Sequence, residues 1–230
     1  ELGFHWGLVT NGFLLNDNII KKLKDSKLST ITISVDGIGE THDSFRRMPG
    51  SYEKAINGIK LLAKENFLKE LQITSSISKK NINQLDQMYE VFSKLPINSW
   101  RVMNVDPIGR AEDNKDLLLD DKEYQKLIEF IANKRKQKGI SVTYGCAGYL
   151  GEYEGETRNH FFSCLTGITI GSILNNGDIF VCPNVPRNKE LIQGNVRKDN
   201  FFDVWDSKFE LFRNKNRTKC DKCSKCEFWE

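Results

Sequence analysis

"STITISVDGIGETHDSFRRMPGSYEKAINGIKLLAKE", residues 29–65, decides the fold. It opens on a β-branched run, 29–35, that reads as a buried strand. It closes on 51–65, where Tyr52, Ala55, Ile56, Ile59, Leu62 and Ala63 recur at helical spacing behind Ser51 as N-cap. A polar stretch, 36–50, joins the two. Strand, long polar connection and helix make a βα unit with its connection at the carboxyl end of the strand.

The same alternation continues on both sides. Upstream, 4–10 reads as a strand and 17–28 as a helix with Ile19, Ile20 and Leu23 on one face. Downstream, strand-like runs at 70–77, 99–105 and 140–144 alternate with two helical segments. The first, 83–95, carries Leu85, Met88, Phe92 and Leu95 on one face and stops at Pro96. The second opens on a capping-box pattern, Asp120 and Glu123, and runs to Lys138 before Gly139. Repeated βα units call for a parallel sheet with right-handed crossovers. An open doubly wound sheet and a (β/α) barrel both fit. In either, function collects where the strands end, here at 10–12, 36–50, 78–81 and 106–114.

After Tyr144 the texture changes. Residues 145–163 are rich in Gly, Glu and aromatics without a clear period. Residues 167–183 read as a hairpin turning at Asn175-Asn176-Gly177, and 201–215 as a short helix. The sequence therefore divides into 1–145 and 146–230, and all six cysteines lie in the second part. Net charge is +3, which argues against a dedicated nucleic-acid binder. Lys134-Arg135-Lys136 sits late in a helix, where it reads as a solvated face suited to the helix dipole. No apolar run approaches the ~20 residues of a membrane span. No signal peptide is visible either, so a cytoplasmic location is expected.

The cysteines cluster at one end, which points to metal rather than to a disulfide scaffold. Cys220, Cys223 and Cys226 form C-x2-C-x2-C, a spacing of soft ligands open to zinc or to an iron–sulfur cluster. A fourth ferredoxin-type ligand would fall at Glu230. Farther upstream, Cys164, Gly177 and Cys182 make C-x12-G-x4-C, followed by "GNVRKDNFFDVWDS" at 194–207 and then the terminal run.

That constellation resembles the SPASM extension of radical SAM enzymes. "LVTNG" (8–12), "SVDG" (34–37) with "HDSFRRMPGSY" (42–52), and "VDPIGRAEDN" (105–114) resemble successive strand ends of the radical SAM core. The resemblance implies an α/β fold: a partial (β/α) barrel with parallel strands, then a small cysteine-rich hairpin and helix domain. It implies [4Fe–4S] clusters and S-adenosyl-L-methionine, whose reductive cleavage yields a 5′-deoxyadenosyl radical. It places Ser34 and Asp36 on the ribose, Thr10 and Asn11 on the methionine side and Ile108 over the adenine. Cys164 and Cys182, with Cys146 as a further ligand, would hold one auxiliary cluster, and Cys223 and Cys226 a second, with Cys220 an extra thiol. Expected partners are a peptide or protein substrate and an electron donor such as flavodoxin or ferredoxin, with neither nucleic acid nor membrane. His42 is expected to be structural, with Arg46 or Arg47 pairing an acid.

The family's C-x3-C-x2-C loop is not present in the 230 residues, and a last SPASM ligand would fall past Glu230. The chain is therefore expected to be a fragment that does not cleave S-adenosylmethionine by itself. The competing expectation is a non-enzymatic metal-binding module holding zinc or an iron–sulfur cluster.

Overall fold

The computed structural model describes residues 3–145 and 148–213. Two compact units divide after Phe162, later than the boundary drawn at 145 from texture alone. The difference lies in 148–162, which folds back on the first unit.

The first unit is an α/β layer built on five parallel strands that form part of a barrel. They are β1 (Gly7–Thr10), β2 (Thr30–Ser34), β3 (Glu70–Ile77), β4 (Ser99–Asn104) and β5 (Ser141–Tyr144), paired in chain order with β1 at one edge. Helices α1 (Asp17–Asp25), α2 (Glu40–Arg46), α3 (Ser51–Glu65), α4 (Leu85–Phe92), α5 (Asp121–Arg135) and α6 (Glu154–Thr157) intervene or follow. Sequential pairing with helical crossovers is the topology the repeated βα pattern requires.

The strands alternate instead of being buried throughout. Ile31 and Ile33 of β2 are fully buried, whereas Thr30, Thr32 and Ser34 are half-buried. The register carries this alternation across the sheet. One face presents Ile33, Ile73, Trp100 and Val142 to the helices, and the other presents Thr32, Ser34, Gln72 and Arg101. Each large apolar side chain withdrawn on the helical face stabilises the fold by about 2 kcal/mol. Trp100 anchors that face, with its ring edge-on to Phe92 at 5.1 Å and to Phe130 at 5.9 Å. Its indole N–H donates to Ser75 Oγ at 2.9 Å, so no buried donor is lost.

Three local expectations change. Helix α3 begins at Ser51, but its cap is Asp43, not Ser51. The Asp43 carboxylate accepts from Gly50 N at 2.6 Å, Ser51 Oγ at 2.9 Å and Tyr52 N at 2.7 Å. The stretch 36–50 is not all loop, because it contains α2. Helix α5 keeps its capping box at Asp120 and Glu123 but ends at Arg135, short of Gly139. The basic run at its end is also less solvated than expected. Lys134 pairs with Asp86 at 2.8 Å and lies over the Tyr89 ring, Arg135 donates to Val142 O at 2.9 Å, and Lys136 pairs with Glu156 at 2.8 Å. These bonds tie α5 to α4, β5 and α6.

Residues 148–162 close the unit through Glu154, which is buried. Its carboxylate accepts from Leu150 N at 2.9 Å and Phe162 N at 2.5 Å, and Arg158 Nη1 lies 2.9 Å away.

The second unit is a small antiparallel sheet, β6 (Ser172–Ile173), β7 (Asp178–Phe180) and β8 (Ile192–Asn195), in that order. The expected hairpin is β6–β7, and Gly177 at its turn has φ +92°, a region that favours glycine. Strand β8 adds to it and was not legible, since "IQGN" has one β-branched residue and a glycine. The expected single helix is two pieces, α7 (Phe201–Lys208) and α8 (Glu210–Arg213). Ile179, Phe180, Val181, Val204 and Phe209 form the core of this unit. Arg213 stacks over Trp205 at 4.8 Å while its Nε donates to Gly167 O at 2.6 Å.

Candidate cofactor and substrate site at the strand ends

Because all five strands run parallel, their carboxyl ends share one edge of the sheet. Thr10, Ser34, Asn104 and Tyr144 close their strands there, and Asn11, Asp36, Asp106 and Ile108 follow in the connections.

On the polar face, one row crosses four strands. Ser34 is in register with Thr74, Thr74 with Arg101, and Arg101 with Thr143. Adjacent strands lie about 4.8 Å apart, so the row spans roughly 14 Å. The row one step toward the amino ends is internally bonded. Thr32 Oγ1 donates to Gln72 Oε1 at 3.4 Å, Gln72 Nε2 to Ser99 Oγ at 2.8 Å, and Ser99 Oγ to Glu70 Oε1 at 2.8 Å. The Ser34 row is different. Thr74 Oγ1 and Arg101 Nε are both buried and have no hydrogen-bond partner. Burial pushes the Arg101 guanidinium below its ordinary pKa, and Glu70 opposes the shift.

Asp36 sits at the root of this edge and is fully buried. Arg46 Nη2 lies 2.5 Å from Asp36 Oδ2, and Ser76 N donates to Oδ1 at 2.8 Å. Its own N–H donates to His42 Nδ1 at 3.0 Å, and Asn81 Nδ2 donates to its carbonyl at 2.6 Å. Asn81 also ties Ser76 and Ser78, at 2.9 Å to Ser76 O and 2.7 Å from Ser78 N. Gln84 accepts from Ile38 N and donates to Thr41 Oγ1, each at 3.0 Å. The carboxylate of Asp36 thus faces protein on both oxygens, whereas Ser34, two residues earlier, keeps its hydroxyl at the half-buried face. Because His42 Nδ1 accepts, the ring is neutral with its proton on Nε2. Burial lowers its pKa, and Arg46 adds to the effect while Asp36 and Asp43 oppose it.

Thr10 and Asn11 shape a turn. Thr10 Oγ1 accepts from Gly12 N at 3.2 Å and Asn11 Oδ1 from Phe13 N at 3.1 Å. Gly12 has φ +74°, and a Cβ there would meet Ala55 Cα at 3.3 Å, so the turn packs directly on α3. Beyond β4, Asn104 Nδ2 donates to Asp106 Oδ1 at 2.8 Å, and Asn104 Oδ1 accepts from the Tyr144 hydroxyl at 2.5 Å. Burial, with Tyr124 beside it, holds the Tyr144 phenol far above its ordinary range, so it stays protonated. Ile108 is half-buried ahead of a short turn at 109–111.

In the second unit, Cys164 is exposed and Cys182 half-buried, both as free thiols. Asn184 N donates to Cys182 Sγ at 3.4 Å, the kind of N–H···S contact that tunes cluster-bound thiolates. Among the described residues, no three His, Cys, Asp or Glu side chains gather as a metal site. Cys146, Cys220, Cys223 and Cys226 lie outside the described residues.

A parallel partial barrel with open polar strand ends, followed by a cysteine-bearing hairpin, matches two families. The model for the radical SAM superfamily matches residues 1–91, and that of the SPASM iron–sulfur cluster-binding domain matches 164–227. The chain belongs to the radical SAM superfamily and carries a SPASM domain. Its family cofactors are accordingly S-adenosylmethionine and [4Fe–4S] clusters. The chain is 27% identical to the AdoMet-dependent heme synthase of Methanosarcina barkeri, covering 99% of itself and 68% of that protein. It is 26% identical to the mycofactocin maturase MftC of Mycolicibacterium smegmatis, covering 94% of itself and 55% of MftC. Among solved structures, Streptococcus suis SuiB bound to S-adenosylmethionine superposes with a TM-score of 0.68 at 19% identity, covering 96% of the chain and 52% of SuiB. SuiB bound to its precursor peptide SuiA gives 0.69 at 18% identity, again covering 96% and 52%. The chain thus spans between half and about two thirds of these relatives.

The residues present fit both groups of the radical SAM/SPASM family. The Ser34 row offers buried polar atoms without partners, and Cys182 already takes a backbone N–H. Sequence reading missed Arg101, Thr74, Asn81 and Gln84. Only Arg101 left a signal, a lone charge inside the strand "SWRVMNV".

Proposed function

We propose that this chain is the cofactor- and substrate-binding part of a radical SAM/SPASM enzyme that modifies an organic substrate held over the open face of the sheet. The observation that carries the reading is the Ser34–Thr74–Arg101–Thr143 row, a polar surface with unsatisfied buried atoms that runs across the sheet from the carboxyl end of β2. S-adenosylmethionine, with a reduced cluster, supplies hydrogen-atom abstraction when bound. The chain's own residues bind and orient. Ser34 contacts the ribose, the turn at Thr10 and Asn11 receives the methionine side, and Ile108 covers the adenine. Asp36 acts one step back, locking the strand end that carries Ser34. Cys164 and Cys182 hold an auxiliary cluster, with Cys146 as a further ligand. Cys223 and Cys226 hold a second, with Cys220 an extra thiol. A cytoplasmic location and a flavodoxin- or ferredoxin-type electron donor complete the reading.

Relatives favour two substrate classes. The match to a heme synthase along nearly the whole chain favours a tetrapyrrole. The SuiB complex with SuiA and the match to MftC favour a peptide, the second reading. The test of the shared part is anaerobic purification of the 230-residue chain with iron, sulfide and zinc analysis and titration with S-adenosylmethionine. Iron with matching sulfide, and binding weakened by Ser34→Ala, supports it. A colourless zinc protein indifferent to S-adenosylmethionine overturns it in favour of a non-enzymatic metal module.

A further inference from the structure

We propose that Arg101 recognises a carboxylate of the substrate and so sets this chain's preference for a carboxylate-bearing tetrapyrrole. The inference rests on the tetrapyrrole reading above and deepens it.

Arg101 lies in the middle of β4, where a long cation is a poor choice for strand stability. It points to the polar face, since its register partners are Thr74 and Thr143 and its neighbours Trp100 and Val102 are buried under the helices. Among the described residues its side chain makes no ion pair and no hydrogen bond, and its Nε is buried without a partner. The nearest acid by effect is Glu70, whose Oε1 is already engaged by Ser99 Oγ at 2.8 Å and by Gln72 Nε2 at 3.3 Å. A half-buried guanidinium whose Nε is shut away from water without an acceptor costs the free protein stability. It is an asset only when something bound above the sheet supplies an acceptor, and a guanidinium fork fits a carboxylate with two parallel bonds. Thr74 Oγ1, also unpartnered and one strand away, supplies a further donor. Ser34 is two strands from Arg101, about 10 Å by strand spacing. A cofactor at Ser34 therefore leaves room for the substrate's acidic group at Arg101.

The test uses the 230-residue chain, its Arg101→Gln and Arg101→Lys variants, and two probes. Metal-free protoporphyrin IX carries two carboxylates and cannot ligate thiols through iron, and its dimethyl ester lacks the charges. The proposal expects wild type to bind the free acid more tightly than the ester. Arg101→Gln should lose roughly 10- to 100-fold for the free acid and little for the ester, with Arg101→Lys in between. Affinity for S-adenosylmethionine should stay unchanged in both variants, and the thermal midpoint of Arg101→Gln should be equal or higher, because a half-buried cation with an unpartnered Nε is removed. A lower midpoint with unchanged acid affinity makes Arg101 structural and overturns the proposal. Loss of S-adenosylmethionine affinity instead assigns Arg101 to the cofactor and also overturns it. Equal binding of acid and ester by wild type overturns the carboxylate role while leaving the tetrapyrrole reading intact. Absence of any porphyrin binding by wild type overturns both.

Discussion

Arg46 reaches back from the last turn of α2 to place Nη2 2.5 Å from Oδ2 of Asp36, whose carboxylate is almost entirely buried. The pair staples a helix onto the strand end that carries Ser34. Asp36 also accepts the Ser76 amide, so one carboxylate fixes β2, β3 and α2 at once. Removing the charge leaves Arg46 facing a buried site without its acid. Asp36→Asn should therefore cost on the order of 3 kcal/mol, read as a lower urea midpoint. It should also weaken S-adenosylmethionine binding, because the Ser34 edge loosens. If Asp36→Asn unfolds with the wild-type midpoint, the carboxylate is not the staple described.

His42 gives a pH signature. Its pKa in the fold lies below the ordinary 6.5, chiefly through burial. As pH falls, the unfolded chain takes up that proton first, so unfolding is favoured. The stability supplied by neutral His42 is complete above about pH 6.5 and declines below it. His42→Asn keeps an acceptor near the position of Nδ1 for the Asp36 amide and removes the titration. The difference in urea midpoint between wild type and His42→Asn should change in favour of the variant as pH drops from about 7.5 to about 5.5. A constant difference across that range would show that His42 does not titrate on unfolding.

Asp43 should behave as a helix cap rather than as a site acid. Its carboxylate holds Gly50 N, Ser51 Oγ and Tyr52 N, and these bonds, the one to Tyr52 first, lower its pKa. Asp43→Ala should cost about 1 kcal/mol, the usual scale for a lost cap. The folded pKa is depressed, so this stability is present above the ordinary carboxylate range and is lost as pH falls through it. The measurement is thermal unfolding of the variant at neutral and acidic pH. The two proteins should converge at low pH, and a gap that persists there would count against the assignment.

How much of this was legible in the sequence follows from what each residue does. The parallel order could be read because strand and helix periods alternate cleanly from Gly7 to Tyr144, and crossover geometry leaves few options. The open face could not, because the Thr and Ser residues of "TITIS" fit a buried β-branched strand as well as an exposed polar row. Only the register with Gln72, Thr74 and Arg101 separates the two. "SVDG" marked the right edge, yet the resemblance gave Ser34 and Asp36 equal standing as ribose groups. The fold distinguishes them by putting Arg46 and the Ser76 amide on Asp36, contacts from residues distant in sequence. Asn81 and Gln84 were invisible for the same reason, since a side chain that bonds loop backbone leaves no periodic trace. Asp43 was visible as a turn former, but its helix begins eight residues later, beyond the reach of the capping-box pattern.

The last prediction concerns the hairpin cysteines. Strands β6 and β7 pair antiparallel around Gly177, which returns the chain so that Cys182 leaves the sheet just after Phe180 and Val181, both buried. That anchorage fixes the backbone at Cys182 while its thiol stays half-buried, and Asn184 N already points at the sulfur. Thiolates in this setting are soft ligands, and an N–H donated to sulfur stabilises a cluster-bound thiolate over a free thiol. Cys182→Ser should therefore lower iron and sulfide together in the anaerobically reconstituted chain, and Cys164→Ser should do the same. The double variant should lose no more than the worse single variant, because the two would serve one cluster. Asn184→Pro, which removes the N–H, should leave iron bound but shift the reduction potential downward, since one stabilising bond to the reduced cluster is gone. Additive iron losses in the double variant would place the two cysteines on different metals.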